Sequence, residues 1–194
     1  MSIQKKVDGF WQAILIRFLP AWVSPNFFTA IRFILIPVIL YFLAIGSFVL
    51  VLVFFFLAAL DDSIDGSLAR SRKQTSPLGE TLDPLADKLL IILLSLFLIY
   101  FYPYPALILT VAVFDLLLIL ASVIFFIFFF HKKMPPANWW GKFKMIFQVL
   151  GLIAVLVYLI FNWGWLLTVS VILFLLVIIF EFVGFLSYGV KGIF

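Results

Sequence analysis

Long unbroken apolar runs alternate with short polar, aromatic or Pro/Gly-bearing breaks along most of this chain. Six runs, at residues 26–46, 48–70, 78–101, 105–130, 142–162 and 165–188, each approach or exceed the length a helix needs to cross a bilayer. They are continuous rather than alternating at every second position, which predicts helices and not barrel strands. The breaks are Gly46-Ser47, Ser71 to Pro77, Pro103 to Pro105, His131 to Trp140, and Asn162-Trp163-Gly164-Trp165. The beginning of the chain follows another pattern. Ile3, Val7, Phe10, Trp11, Ile14 and Phe18 recur at helical spacing, Lys5, Lys6, Asp8 and Gln12 fall elsewhere on the wheel, and Pro20 ends the pattern. Such a segment is too polar to span and predicts a helix lying in the interface. The predicted fold is an all-α integral membrane protein with an N-terminal amphipathic helix over 1–20 and a domain of six transmembrane helices over 21–194.

Composition supports this: 66% of residues are hydrophobic and 11% charged, whereas soluble domains are nearer half apolar and a quarter charged. The absence of cysteine excludes disulfides, thiolate metal sites and a cysteine nucleophile. No cleavable signal is evident at the N-terminus. The net charge of +4 is the modest surplus expected of a cytoplasmic membrane face, and gives no indication of a nucleic-acid partner. Basic residues sit on alternate breaks: Lys5, Lys6 and Arg17 before the first run, Arg70, Arg72 and Lys73 after the second, Lys132, Lys133, Lys142 and Lys144 around the fourth break, and Lys191 after the sixth. The positive-inside rule then predicts a multi-pass protein with both termini cytoplasmic; the expected location is a bacterial-type inner membrane. His131, beside Lys132 and Lys133, reads as part of that basic flank.

One stretch breaks the apolar pattern. The segment AALDDSIDGSLARSRKQTSPLGETLDPLADKLLI carries Asp61, Asp62, Asp65, Glu80, Asp83 and Asp87 at the adjoining ends of the second and third runs. An aspartate at mid-bilayer costs about 2.5–3.5 kcal/mol on insertion scales, so several near a span end need an offsetting interaction. Asp62 and Asp65 are three apart and Asp83 and Asp87 four apart, so each pair shares one helix face. A short connection makes the two helices antiparallel neighbours, and the pairs can converge. A hard divalent cation would cancel the repulsion, and an all-oxygen donor set suits Mg²⁺ or Mn²⁺. Gly66, Ala69 and Gly79 leave room for a ligand, and Arg70, about one turn beyond Asp65, suits a bidentate grip on phosphate. Together these residues describe a diphosphate site. Asp61, Glu80, Arg72 and Lys73 read as a solvated helix end and a charged loop, and Lys88 as a structural ion pair or helix contact. Asp115 and Glu181 are acids inside apolar runs, and therefore candidates for a functional or pairing role.

The pattern Asp62-x2-Asp65-Gly66-x2-Ala69-Arg70-x8-Gly79-x3-Asp83-x3-Asp87 resembles the signature of the CDP-alcohol phosphatidyltransferases, as does the predicted architecture. The resemblance implies attack by an alcohol on the β-phosphate of a CDP-linked lipid, usually CDP-diacylglycerol, with release of CMP. It implies that Asp62, Asp65, Asp83 and Asp87 hold a pair of metal ions, that Asp87 is the general base, and that Asp62, Gly66, Ala69, Arg70 and Gly79 form the CDP site. A homodimer is also implied.

The acceptor is read from further likeness to one branch. Asn26, Thr29, Arg32 and Pro37 resemble the opening of phosphatidylglycerophosphate synthases, as do PLADKLL at 84–90 and Gly141, Lys142, Lys144 and Gln148. This implies glycerol 3-phosphate as acceptor, held by Arg32, Lys142, Lys144 and Asp115. Two positions depart: Met145 stands where that branch usually has Thr, and Phe114-Asp115 where it often has Arg and an acid. A cardiolipin synthase-type enzyme, with phosphatidylglycerol as acceptor, is the alternative. A divalent-cation transporter would also use facing acids, but the outer halves of these runs carry no matching acids. A non-catalytic lipid-binding protein would not need all four motif acids.

Overall fold

The structure is a computed structural model that describes residues 25–72, 77–128 and 139–191. The amphipathic helix expected over 1–20 lies outside them. The described residues form six helices and no strand: α1 Pro25–Ala44, α2 Phe48–Arg72, α3 Pro77–Leu98, α4 Pro105–Phe128, α5 Trp139–Phe161 and α6 Gly164–Lys191. Their ends fall within three residues of the runs read from the sequence. Two stretches, Trp139–Phe161 and Gly164–Gly184, are long and apolar enough to cross a membrane, and shorter apolar stretches cover Ala30–Ala44, Phe48–Asp61 and Pro105–Leu117. The chain divides into two compact units, Met1–Leu90 and Ile91–Phe194.

In the first unit α1 and α2 form a helical hairpin. Pro25 opens α1, where its missing N–H would have no intrahelical partner in any case. The helix closes on a Schellman turn: Gly46 takes φ +71°, its N–H donates to the Leu43 carbonyl at 3.0 Å, and the Ser47 N–H donates to the Phe42 carbonyl at 2.9 Å. A side chain at position 46 would be strained there, and glycine reverses the chain without that cost. Ile36, Ile39 and Leu43 are buried on α1, and Val51, Phe55 and Ala58 on α2. Steps of three and four residues place each set in one stripe, and the stripes pair symmetrically about the turn. Pro37 lies on an exposed face, so its missing backbone bond leaves this seam intact. Arg32 and Asp61 extend the same stripes, about 22 Å of helix from the turn.

The second unit contains the end of α3, then α4, α5 and α6. Tyr102, in the turn after α3, is buried; its hydroxyl lies 2.8 Å from Ser170 Oγ on α6 and its ring meets Phe174 edge-on. The α5–α6 hairpin turns at Asn162, which takes φ 55°, a left-handed conformation that asparagine tolerates. Lys144, Gln148, Gly151 and Val155 on α5 and Ser170, Phe174, Val177 and Glu181 on α6 are all buried. Both series step by four, three and four, the spacing of a knobs-into-holes seam. Gly151 is the hole for Phe174: a Cβ there would sit 3.0 Å from its Cε1. Gly151→Leu is therefore expected to lower the unfolding midpoint in detergent by overpacking worth about 1–3 kcal/mol. Adding Phe174→Ala should restore part of the loss, and an additive pair would remove this contact as the cause.

Candidate active site

The first unit gathers its charged residues where α1, α2 and α3 meet. The motif positions Asp62, Asp65, Gly66, Ala69 and Arg70 lie in the last turns of α2, and Gly79, Asp83 and Asp87 in the first turns of α3. The side chains of Asp62, Asp65, Ala69, Arg70 and Asp83 lie outside the described set, as does the environment of Gly66 and Gly79. Asp87 is described. Its Oδ1 lies 2.9 Å from Nη1 of Arg32, and Nη2 of the same guanidinium lies 3.6 Å from Oδ2 of Asp61. Arg32 has no exposed surface, while the side chains of Asp61 and Asp87 are 9% and 22% exposed. One buried cation from α1 thus ties the acid-bearing end of α2 to that of α3.

This corrects one expectation. Asp61 is no solvated helix end; it is buried and paired. The sequence held a signal for it: folded about Gly46-Ser47, the register of the hairpin sets position 61 opposite Arg32. Lys88 is exposed and carries no ion pair among the described residues. It follows Asp87 by one position, about 100° around the helix, and so leaves the Arg32 face.

The second unit holds another polar cluster. The Lys144 ammonium donates to Asp115 Oδ1 on α4 and to Glu181 Oε1 on α6, both at 2.5 Å. Gln148, one turn beyond Lys144, donates through Nε2 to Asp115 Oδ2 at 2.5 Å. Lys144, Gln148 and Glu181 are buried. Glu181 Oε2 is also buried and has no hydrogen-bond partner. Asp115 and Glu181 thus both pair with Lys144. Lys142 is exposed, its ammonium 5.4 Å from the centre of the Trp139 ring, within cation–π range.

Among the described residues no three metal-ligating side chains converge. The metal set expected from the sequence depends on Asp62, Asp65 and Asp83, whose side chains are outside that description, with Asp87. By donor chemistry, four carboxylates on two helices fit a hard divalent cation and exclude a thiolate-preferring one.

Residues 22–183 match the family model for CDP-alcohol phosphatidyltransferase. A CDP-diacylglycerol--glycerol-3-phosphate 3-phosphatidyltransferase of Haemophilus influenzae is 33% identical over 137 residues, covering 66% of this chain and 72% of that protein. The Aquifex aeolicus protein of the same name is 30% identical over 171 residues, covering 87% and 94% respectively. Human cardiolipin synthase (CMP-forming) is 44% identical over 80 residues, covering 41% of this chain and 27% of that protein.

The Lys144 cluster makes a testable demand on stability. Lys144→Met leaves the buried Glu181 and the part-buried Asp115 without their cation and is expected to destabilise the fold by about 3–5 kcal/mol. Lys144→Met with Asp115→Asn and Glu181→Gln should recover most of that loss in detergent unfolding. A triple variant as unstable as the single one would mean that the lysine contributes chiefly through packing.

Proposed function

Because the chain belongs to the CDP-alcohol phosphatidyltransferase family, we propose that it transfers a phosphatidyl group from CDP-diacylglycerol to glycerol 3-phosphate, forming phosphatidylglycerophosphate and releasing CMP. The observation that carries the reading is the junction at Arg32, where the acid-bearing ends of α2 and α3 meet in one unit. Asp61 and Asp87, one from each acid-bearing helix, share that guanidinium.

In this reading an acceptor hydroxyl oxygen forms a bond to the β-phosphorus as the phosphoanhydride bond breaks. The bonding electrons leave with CMP, and the hydroxyl proton passes to Asp87. Asp87 is partly exposed and so within reach of a ligand. Asp62, Asp65, Asp83 and Asp87 would hold Mg²⁺ or Mn²⁺, two ions by resemblance, which when bound would neutralise the diphosphate and the leaving CMP. Gly66, Ala69 and Gly79 admit the nucleotide close to the backbone, and Arg70 supplies a fixed cation for phosphate. By likeness Lys142, Lys144 and Asp115 would hold the acceptor, whereas Arg32, expected with them, is fully buried. Lys142 is exposed, whereas phosphate would reach Lys144 only in exchange for one of its two carboxylates.

The reading places the chain in the membrane as six spans with both termini cytoplasmic, preceded by the interfacial helix and assembled as a homodimer. Two apolar helices of spanning length and the alternation of basic and neutral breaks support the spans and their orientation, while the homodimer rests on the family resemblance alone. The cardiolipin synthase-type reading, with phosphatidylglycerol as acceptor, is favoured by one observation: both carboxylates already neutralise Lys144, which leaves that cluster poorly suited to a phosphate dianion.

Purified protein with labelled CDP-diacylglycerol and Mg²⁺ or Mn²⁺ should convert glycerol 3-phosphate, but not phosphatidylglycerol, serine or inositol phosphate, with release of CMP. Cardiolipin formation with glycerol 3-phosphate inert would establish the alternative. Metal flux into liposomes without CMP release would establish a transporter. Asp87→Asn is expected to lower turnover by about 10²–10⁴-fold while CDP-lipid binding is retained. Full activity in that variant would remove Asp87 from the role of base.

A further inference from the structure

We propose that Arg32 is a positioning residue for Asp87. Its guanidinium fixes the carboxylate on α3, and Asp61 on α2 anchors the guanidinium from its other edge. The inference rests on the reading of Asp87 as base and metal ligand, and concerns what makes that carboxylate competent.

Three observations support it. First, Arg32 is completely buried, whereas a residue that holds an acceptor phosphate must present N–H donors to a space the acceptor can enter. Second, the two terminal nitrogens of Arg32 face two different carboxylates, Nη1 to Asp87 at 2.9 Å and Nη2 to Asp61 at 3.6 Å. Both contacts are ion pairs rather than hydrogen bonds, so what the guanidinium fixes is the place of a charge between two carboxylates. Third, the support is rigid. Arg32 continues the buried stripe of Ile36, Ile39 and Leu43, on a helix joined to α2 by a closed Schellman turn. Asp87 Oδ1 is therefore referred to the α1–α2 hairpin as well as to its own helix. A catalytic group displaced by an ångström can lose about a hundredfold in rate, so such a tether bears directly on turnover.

Arginine suits a position from which one buried cation meets two acids. Lysine could supply the charge, but only as a single ammonium on a flexible stem without the fork that engages two carboxylates separately.

The test compares wild type, Arg32→Lys, Arg32→Gln and Arg32→Gln/Asp61→Asn in detergent. Kinetics with CDP-diacylglycerol and glycerol 3-phosphate are combined with thermal unfolding and Mn²⁺ binding followed by electron paramagnetic resonance. Arg32→Gln should reduce kcat about a hundredfold, leave the acceptor KM within about twofold, and weaken Mn²⁺ binding. The double variant, which also removes the Asp61 charge, should regain thermal stability but not kcat. Arg32→Lys should regain stability and only part of kcat. A raised acceptor KM with kcat unchanged would make Arg32 an acceptor clamp and overturn the proposal. So would wild-type kcat in the double variant, because Arg32 would then serve only to balance Asp61. If wild type releases no CMP with any acceptor, the enzymatic reading fails instead. The positioning claim then stands or falls on whether Arg32→Gln weakens Mn²⁺ binding in the same preparation.

Discussion

A cation buried in an apolar helix seam must find carboxylates, and this requirement organises both units. Taking an ion out of water costs several kcal/mol even after relaxation, and only well-placed partners offset it. Arg32 extends the α1–α2 seam and Lys144 the α5–α6 seam. In each case one acid comes from the opposite helix of the hairpin, Asp61 or Glu181, and a second from another helix, Asp87 or Asp115. The apolar stripes suffice to close a pair of helices. The buried cation brings a third helix to a defined place.

Such groups contribute orientation more than stability, since well-packed apolar residues commonly do as well or better energetically. The two clusters use the constraint differently. Arg32 spreads its two terminal nitrogens over two acids, at 2.9 and 3.6 Å. Lys144 holds both acids at a single point, and Gln148, four residues on and so on the same face, takes the other oxygen of Asp115. Asp115 is thereby bound through both oxygens to α5. Glu181 keeps one buried oxygen without a partner, so the second cluster carries an unbalanced acceptor where the hairpin seam ends.

Much of this was legible in the chain. The apolar runs marked all six helices, and Gly46 and Asn162 sit where the two hairpins reverse with positive φ. The spacing of the motif acids pointed to the family that residues 22–183 match. Asp61 was missed because its near neighbours in sequence are a second aspartate and a basic loop, which together resemble a solvated end. Its partner is 29 positions earlier and becomes visible only when the chain is folded back about Gly46-Ser47. The same operation about Asn162 joins Lys144 to Glu181. Local pattern gives helices and faces; pairing between them needs the register that the turn imposes.

The register also bears on the departure at Phe114. Had an arginine stood there, it would lie about 100° around α4 from Asp115. Phe114 is 43% exposed, whereas Asp115 turns inward onto Lys144 and Gln148. The missing cation is therefore not one withdrawn from the Lys144 cluster, in which Lys144 already meets both acids. An anionic acceptor near this cluster would meet the exposed Lys142 before it met Lys144, and would gain Lys144 only by taking over a contact now made by Asp115 or Glu181. Glu181 is the less firmly held of the two, with one oxygen bonded against two for Asp115. Exchange at the α6 side disturbs fewer bonds than exchange at α4.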